Sequence, residues 1–166
     1  MRYNKSIKHY GENMKKIAIL AALALFTIFS TNAQSAEKVT ELIEAKKAQW
    51  SKACYISAVY AGMDDSLTEE DAANYLLDRK IIKKIPSLEK EIRFDELTLL
   101  VANTFNVKGS LWFSLLKNKR YAFKLFKARR LIPVTSDPQS KVSGSDVLNL
   151  FTKCIELDEA EKGAGL

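Results

Sequence analysis

The chain has 166 residues, 47% of them apolar and 28% charged, with 26 basic side chains against 20 acidic ones, one histidine and two cysteines. That length suffices for one domain with a buried core and is short for two. A lone histidine, His9, leaves little for general-base or metal-ligand chemistry.

The stretch MKKIAILAALALFTIFSTNAQS begins at Met14, where Lys15 and Lys16 precede a 13-residue apolar run from Ile17 to Phe29. A positive start, a short apolar run and small residues at a cut site make an export signal. Thr31 and Ala33 place the cut after Ala33, with a cut after Ser35 as the alternative. The run is too short for a hydrocarbon core of roughly 30 Å. Residues 1–33 are therefore expected to be a signal peptide with its functional start at Met14, and the mature chain to be periplasmic or exported, without a transmembrane span. No cysteine follows the apolar run to carry a lipid. Removing residues 1–33, which hold five basic side chains and one acid, takes away His9 and lowers the net charge from +6 to +2. The basic balance is thus partly a property of the signal, and the compartment excludes nucleic acid as a partner.

From residue 34 to 160 the chain is expected to be all-α. A first helix is predicted from Glu37 to about Ala61, with Val39, Leu42, Ile43, Trp50, Ala53 and Cys54 on one apolar stripe and Gly62 ending it. In MDDSLTEED, Ser66 and Glu69 read as a capping box opening a helix that runs to about Lys80. Ile81-Ile82 leads into a loop around Pro86. Arg93 to Asn106 is the next helix, with Phe94, Leu97, Leu100, Val101 and Phe105 at core spacing. Ser110 to Leu116 is apolar all round and predicts a short buried helix. Lys119 to Arg130 forms a further helix, Leu131-Ile132-Pro133 and a turn-rich loop follow, and a last helix runs from about Asp146 to Leu157. Residues 161–166 read as a flexible tail. Cys54 and Cys154 lie on the apolar sides of the first and last helices. Two cysteines in an oxidising compartment predict a disulfide, with two buried thiols as the alternative.

Residues 67–106 align on 117–156 without a gap, at an offset of 50. Ala72 matches Ala122, Arg79 matches Arg129, Ile82 matches Ile132 and Leu100 matches Leu150, while Ile92 with Val142, Glu96 with Asp146 and Leu97 with Val147 pair conservatively. Two repeated helix-loop-helix units plus the N-terminal helix, sharing a single core, are the architecture this predicts.

In the second unit Tyr121-Ala122 opens the helix, Leu131-Ile132 makes the corner and Ser143-Gly144-Ser145-Asp146 starts the capped helix; the first offers Ala72, Ile81-Ile82 and Arg93-Phe94-Asp95-Glu96. Each unit resembles an S-layer homology repeat, whose pattern is an aromatic-Ala helix start, a hydrophobic pair, a loop and a Thr-Arg-Ala-Glu helix start. The resemblance implies that family's architecture, which usually assembles three units, with the Glu37 helix in the third place. It does not imply the family's wall-polysaccharide site, because Gly144 and Phe94 stand where the motif has arginine. Residues 67–156 also resemble a helical domain of exported spirochaete envelope proteins, through Arg120-Tyr121-Ala122, Leu131-Ile132-Pro133 and Val142-Ser143-Gly144. That domain sometimes precedes an OmpA-like peptidoglycan-binding domain, of which this sequence shows no segment.

Beyond residue 33 there is no histidine, which excludes Ser-His-Asp and Cys-His catalysis. Glu96 or Asp95 with Asp146 could serve a glycosidase, yet these acids sit at helix starts where capping accounts for them. Asp64, Asp65, Glu69, Glu70 and Asp71 lack the alternating ligands and central glycine of an EF-hand loop. No catalytic residue, metal or cofactor is therefore expected. From Lys108 to Lys141 nine basic side chains accompany one acid, Asp137, whereas residues 37–78 carry nine acids and four bases. Arg120, Lys124 and Lys127 share a helix face opposite Tyr121, Leu125, Ala128 and Ile132, and Phe123 lies beside the basic stripe. Lys117, Arg120, Phe123, Lys124, Lys127 and Arg130 are thus the expected contacts to an envelope protein or an anionic wall or lipid surface. The function expected is non-catalytic binding or scaffolding in the periplasm or cell envelope. A subunit of an envelope or flagellar assembly and a small peptidoglycan-active glycosidase are the alternatives.

Overall fold

Three short extended segments meet inside the protein, and their backbone groups close a ring. In the computed structural model the Ala48 N–H donates to the Val142 carbonyl (2.8 Å), the Ile92 N–H to the Ala48 carbonyl (2.9 Å) and the Val142 N–H to the Ile92 carbonyl (3.4 Å). All three residues are fully buried, so the ring satisfies polar groups that water cannot reach. A second set of bonds lies beside it: Trp50 N–H to Lys90, Phe94 N–H to Ser140 and Gly144 N–H to Ala45, at 2.9, 3.1 and 2.8 Å.

The structure describes residues 36–108 and 111–163; the expected signal peptide lies outside them. Residues 36–44 are helical, and six helices follow: Trp50–Tyr60 (α1), Glu69–Asp78 (α2), Phe94–Thr104 (α3), Leu111–Leu116 (α4), Lys119–Ala128 (α5) and Gly144–Gly163 (α6). From Lys38 onward the described chain is a single all-α domain without strands, built around one hydrophobic core. The three ring segments lead directly into α1, α3 and α6. Helix α3 packs against α1, α5 and α6, while α2 lies on α1 and α4 on α5.

Local chemistry explains where the helices start and stop. At α2 the capping box is two residues later than the Ser66–Glu69 pair the sequence predicts. Asp64 takes the Ser66 N–H in a turn of its own (2.8 Å), and Thr68 and Asp71 exchange the capping bonds at 3.1 and 3.0 Å. The Thr68 hydroxyl and N–H hold the Asp71 carboxyl below the usual carboxylate range. At α6 the Ser143–Asp146 box forms as read, with bonds of 3.1 and 2.8 Å. Helices α2 and α5 end alike: Lys80 and Arg130 turn left-handed at φ 59° and 57°, and Ile81 and Leu131 donate to Leu76 and Phe126. Asn103 of α3 then donates to the Ile81 carbonyl (2.9 Å) and Lys153 of α6 to the Leu131 carbonyl (3.2 Å), at positions again fifty apart.

Four expectations are corrected. The predicted helix 37–61 is broken at 45–49, because the backbone of Ala48, Trp50 and Ser51 bonds to other segments and cannot continue a helical ladder. Ile43 consequently leaves the apolar stripe and is exposed, while Leu42 is buried. The short helix α4 is not buried all round, since Leu115 and Leu116 are exposed and Phe113 faces the core. Helix α6 continues through residues 161–163 of the predicted tail, tied by a Lys162–Asp158 ion pair of 2.6 Å one turn apart and by Arg129 to Glu161 at 3.8 Å.

The fourth correction is the disulfide: Cys54 and Cys154 are unpaired, buried thiols. Cys54 faces α2 beside Glu69, whereas Cys154 lines a groove with Phe105, Arg129 and Leu157. The far ends of α1 and α3 meet the middle of α6 through Tyr60, Phe105 and Phe151: Tyr60 stacks on Phe105 at 4.0 Å, and Phe105 meets Phe151 at a tilt at 5.7 Å. Cys154 lies near Tyr60, which is six positions along α1 from Cys54, so the two thiols are buried in different surroundings. Burial pushes both thiols up to about 12, with the Glu69 carboxylate adding to the rise at Cys54.

This packing makes three outcomes measurable. A Cβ on Gly144 would sit 1.5 Å from the Leu42 carbonyl oxygen, so Gly144→Ala should lower the unfolding free energy by about 3 kcal/mol in urea titration. Mass spectrometry should find both thiols resistant to alkylation in the native protein and both modified in urea. Because the folded state holds the thiol protons more tightly, their contribution is complete below pH ~9 and is lost as pH rises from there. The urea midpoint should fall above that pH, and less so in Cys54→Ala/Cys154→Ala.

Candidate functional site

The corner that follows α2 overhangs α3 and leaves a cleft of about 630 Å³ between them and the start of α5. Its floor is apolar: Trp50 from α1, Ile81 and Ile82 from the corner, Leu99 and Leu100 from α3. Its rim is cationic, with Lys83, Lys84 and Lys90 on one lip and Lys117 and Lys119 on the other. An adjoining groove of about 500 Å³ shares Lys83 and Lys117 and adds Arg79, Lys80 and Lys108. Glu96 is the one acid lining either space.

Backbone geometry sets both lips. The left-handed turn at Lys80 and the Asn103 bond to Ile81 fix the corner, so Lys83 and Lys84 follow it into solvent. On the other lip Lys117 adopts φ 36° after α4, and the Asn118 side chain caps α5 by accepting the Tyr121 N–H at 3.1 Å. That abrupt change from α4 to α5 leaves Lys117 exposed at the cleft.

Charge is compensated on only part of the rim. Lys90 pairs with Glu96 (3.5 Å), and Lys119 pairs with the carboxylate of Asp95 (3.2 Å), which is 3% exposed. Among the described residues the ammonium groups of Lys80, Lys83, Lys84, Lys108 and Lys117 have no hydrogen bond or ion pair. Five like charges gathered without a counter-charge repel one another, and a bound anion relieves that repulsion.

Of the six contacts expected from sequence, four are available. Lys117 lies in the cleft, and Arg120, Lys124 and Arg130 are exposed and unpaired among the described residues. Phe123 is not beside the stripe on the surface: it is 6% exposed and belongs to the core with Ala122 and Phe126. The buried side of α5 is thus rotated from the Tyr121, Leu125, Ala128 face, and Ala128 is exposed. Lys127 covers Phe123, its ammonium 5.3 Å from the ring centre, and donates to the Ser136 carbonyl at 3.1 Å. Lys80, Lys83 and Lys84 were the residues sequence reasoning passed over. Their signal was the run RKIIKK, four cations flanking a hydrophobic pair.

The acids considered for catalysis, Asp95, Glu96 and Asp146, are held in caps and ion pairs. Glu96 accepts the Arg93 N–H (3.1 Å) and pairs with its guanidinium, and Asp146 caps α6. Glu69 pairs with Lys52 at 2.7 Å, and Lys52 also bonds Glu41. Burial alone would pull the Lys52 amine down, but these two carboxylates raise it above its ordinary value. Among the described residues no cluster of three His, Cys, Asp or Glu is placed to hold a metal, and no helix is long and apolar enough to cross a membrane. Comparison with protein-family models, curated proteins and solved structures found no match to this chain.

Proposed function

We propose that this protein is a non-catalytic binding module of the bacterial cell envelope that holds an anionic ligand in the lysine-rimmed cleft. One observation carries the reading: Lys83 and Lys84 from one segment and Lys117 from another converge without a counter-charge over an apolar floor. A cleft of this volume, apolar inside and with a few convergent charges, has the composition of a ligand site. The basic outer face of α5 extends it. Arg120 and Lys124 are exposed there, whereas Glu70 and Asn74 are exposed at the positions fifty residues earlier on α2. The recurrence of helix ends, corners and their anchoring bonds at that spacing supports a duplicated unit. The ring of three segments supports a third, shortened unit before Trp50, in the manner of S-layer homology repeats. The capping and pairing of Asp95, Glu96 and Asp146 support binding over catalysis.

The test is calorimetric titration of a short polyphosphate into the protein. Lys83→Glu/Lys84→Glu/Lys117→Glu should weaken binding by at least tenfold with helicity unchanged, and raised salt should weaken the parent's binding. Arg120→Glu/Lys124→Glu should weaken it several-fold. Equal affinity in the parent and the triple variant would exclude the cleft.

A further inference from the structure

Cationic side chains alone do not account for the lips of this cleft. Among the described residues seven large apolar side chains are exposed, and three of them neighbour cleft-lining lysines along the chain. Leu115 and Leu116 directly precede Lys117 and are 76% and 45% exposed; Ile85, between Lys84 and Pro86, is 41% exposed. The remaining four, Ile43, Tyr60, Leu67 and Val134, lie in other segments, and isolated exposed apolar residues of that kind are ordinary. A soluble polyanion would engage the lysines and leave the three flanking residues in water. A phospholipid surface engages both, phosphates at the ammonium groups and the apolar side chains among acyl chains.

We propose that Ile85, Leu115 and Leu116, framed by Lys83, Lys84 and Lys117, form a docking surface that seats the protein, cleft first, on an anionic phospholipid bilayer. The inference rests on the anion-binding reading of the cleft and adds its source. Two features of the surface carry it. Lys83 and Lys84 on one lip and Lys117 on the other are unpaired among the described residues, so their charge is available to phosphates without breaking an internal bond. The apolar residues adjoin the same cations along the chain: Ile85 lies between the cleft residues Lys84 and Pro86, and Leu115 and Leu116 directly precede Lys117. Helix α4 spends Phe113 on the core and leaves Leu115 and Leu116 outside. Such a division has no benefit for folding in water, since each exposed leucine gives up the stabilisation that burial supplies.

The apolar run at 17–29 would itself bind lipid, so the readout must be local to the cleft. An environment-sensitive fluorophore is attached to the full chain at Leu115→Cys, with Val134→Cys as the comparison site; native Cys54 and Cys154 are buried. Vesicles of phosphatidylglycerol should shift emission at position 115 to the blue and leave position 134 unchanged, and phosphatidylcholine vesicles should shift neither. Adding Lys83→Glu/Lys84→Glu/Lys117→Glu should reduce the shift at 115 at least fivefold. An unshifted label at 115 overturns the membrane surface, as does an equal shift at 134 or an equal response to phosphatidylcholine. If polyphosphate binding then persists and depends on the three lysines, the cleft is an anion site for a soluble ligand; if it too is absent, the reading of the cleft fails with it.

Discussion

The ring of backbone hydrogen bonds joining Ala48, Ile92 and Val142 is the constraint from which the rest of the architecture follows. Each of these residues lies in the core with no water to satisfy its amide, and an unpaired buried amide costs about 1–3 kcal/mol. Three segments that bond cyclically leave none of the three amides unmatched. Helices α1, α3 and α6 must then start from a common centre, and they come together again where Tyr60, Phe105 and Phe151 meet. The outer helices α2 and α5 have only the flanks of that trio to cover.

The same centre imposes close approaches that side chains cannot share. Gly144 carries its backbone against the Leu42 carbonyl, where no Cβ fits. A residue without a side chain at this position is therefore a packing requirement of this chain. The cleft between the first corner and the start of α5 is where two outer elements fail to meet, and the cations collect on its lips.

Much of this was legible along the chain. Helices near 69–78, 94–104 and 119–128 follow from apolar spacing, and the Ser143–Asp146 box from two residues three apart. The offset of fifty anticipated matching helix ends at Lys80 and Arg130. Other readings failed where a neighbour outside the local window decided the outcome. Residues 45–49 look helical by pattern but surrender their ladder to other segments. Phe123 looked like a surface aromatic because a wheel drawn for α5 in isolation could not show that Lys127 and the loop at Ser136 close over it. The cysteines shared apolar faces yet are buried beside different neighbours, Cys54 near Glu69 and Cys154 with Phe105 and Leu157, and shared polarity does not specify a partner.

The sequence by itself determined the helical class, the Ser143–Asp146 cap, the corners and the separation of acidic from basic halves, because each depends on residues close together along the chain. Only the tertiary structure decided that Lys83 and Lys84 would face Lys117 across an apolar floor, and that two buried thiols would stay apart. Those outcomes depend on the order in which three distant backbone segments pair. Pairing of that kind uses N–H and C=O groups common to every residue, so no side-chain pattern records it.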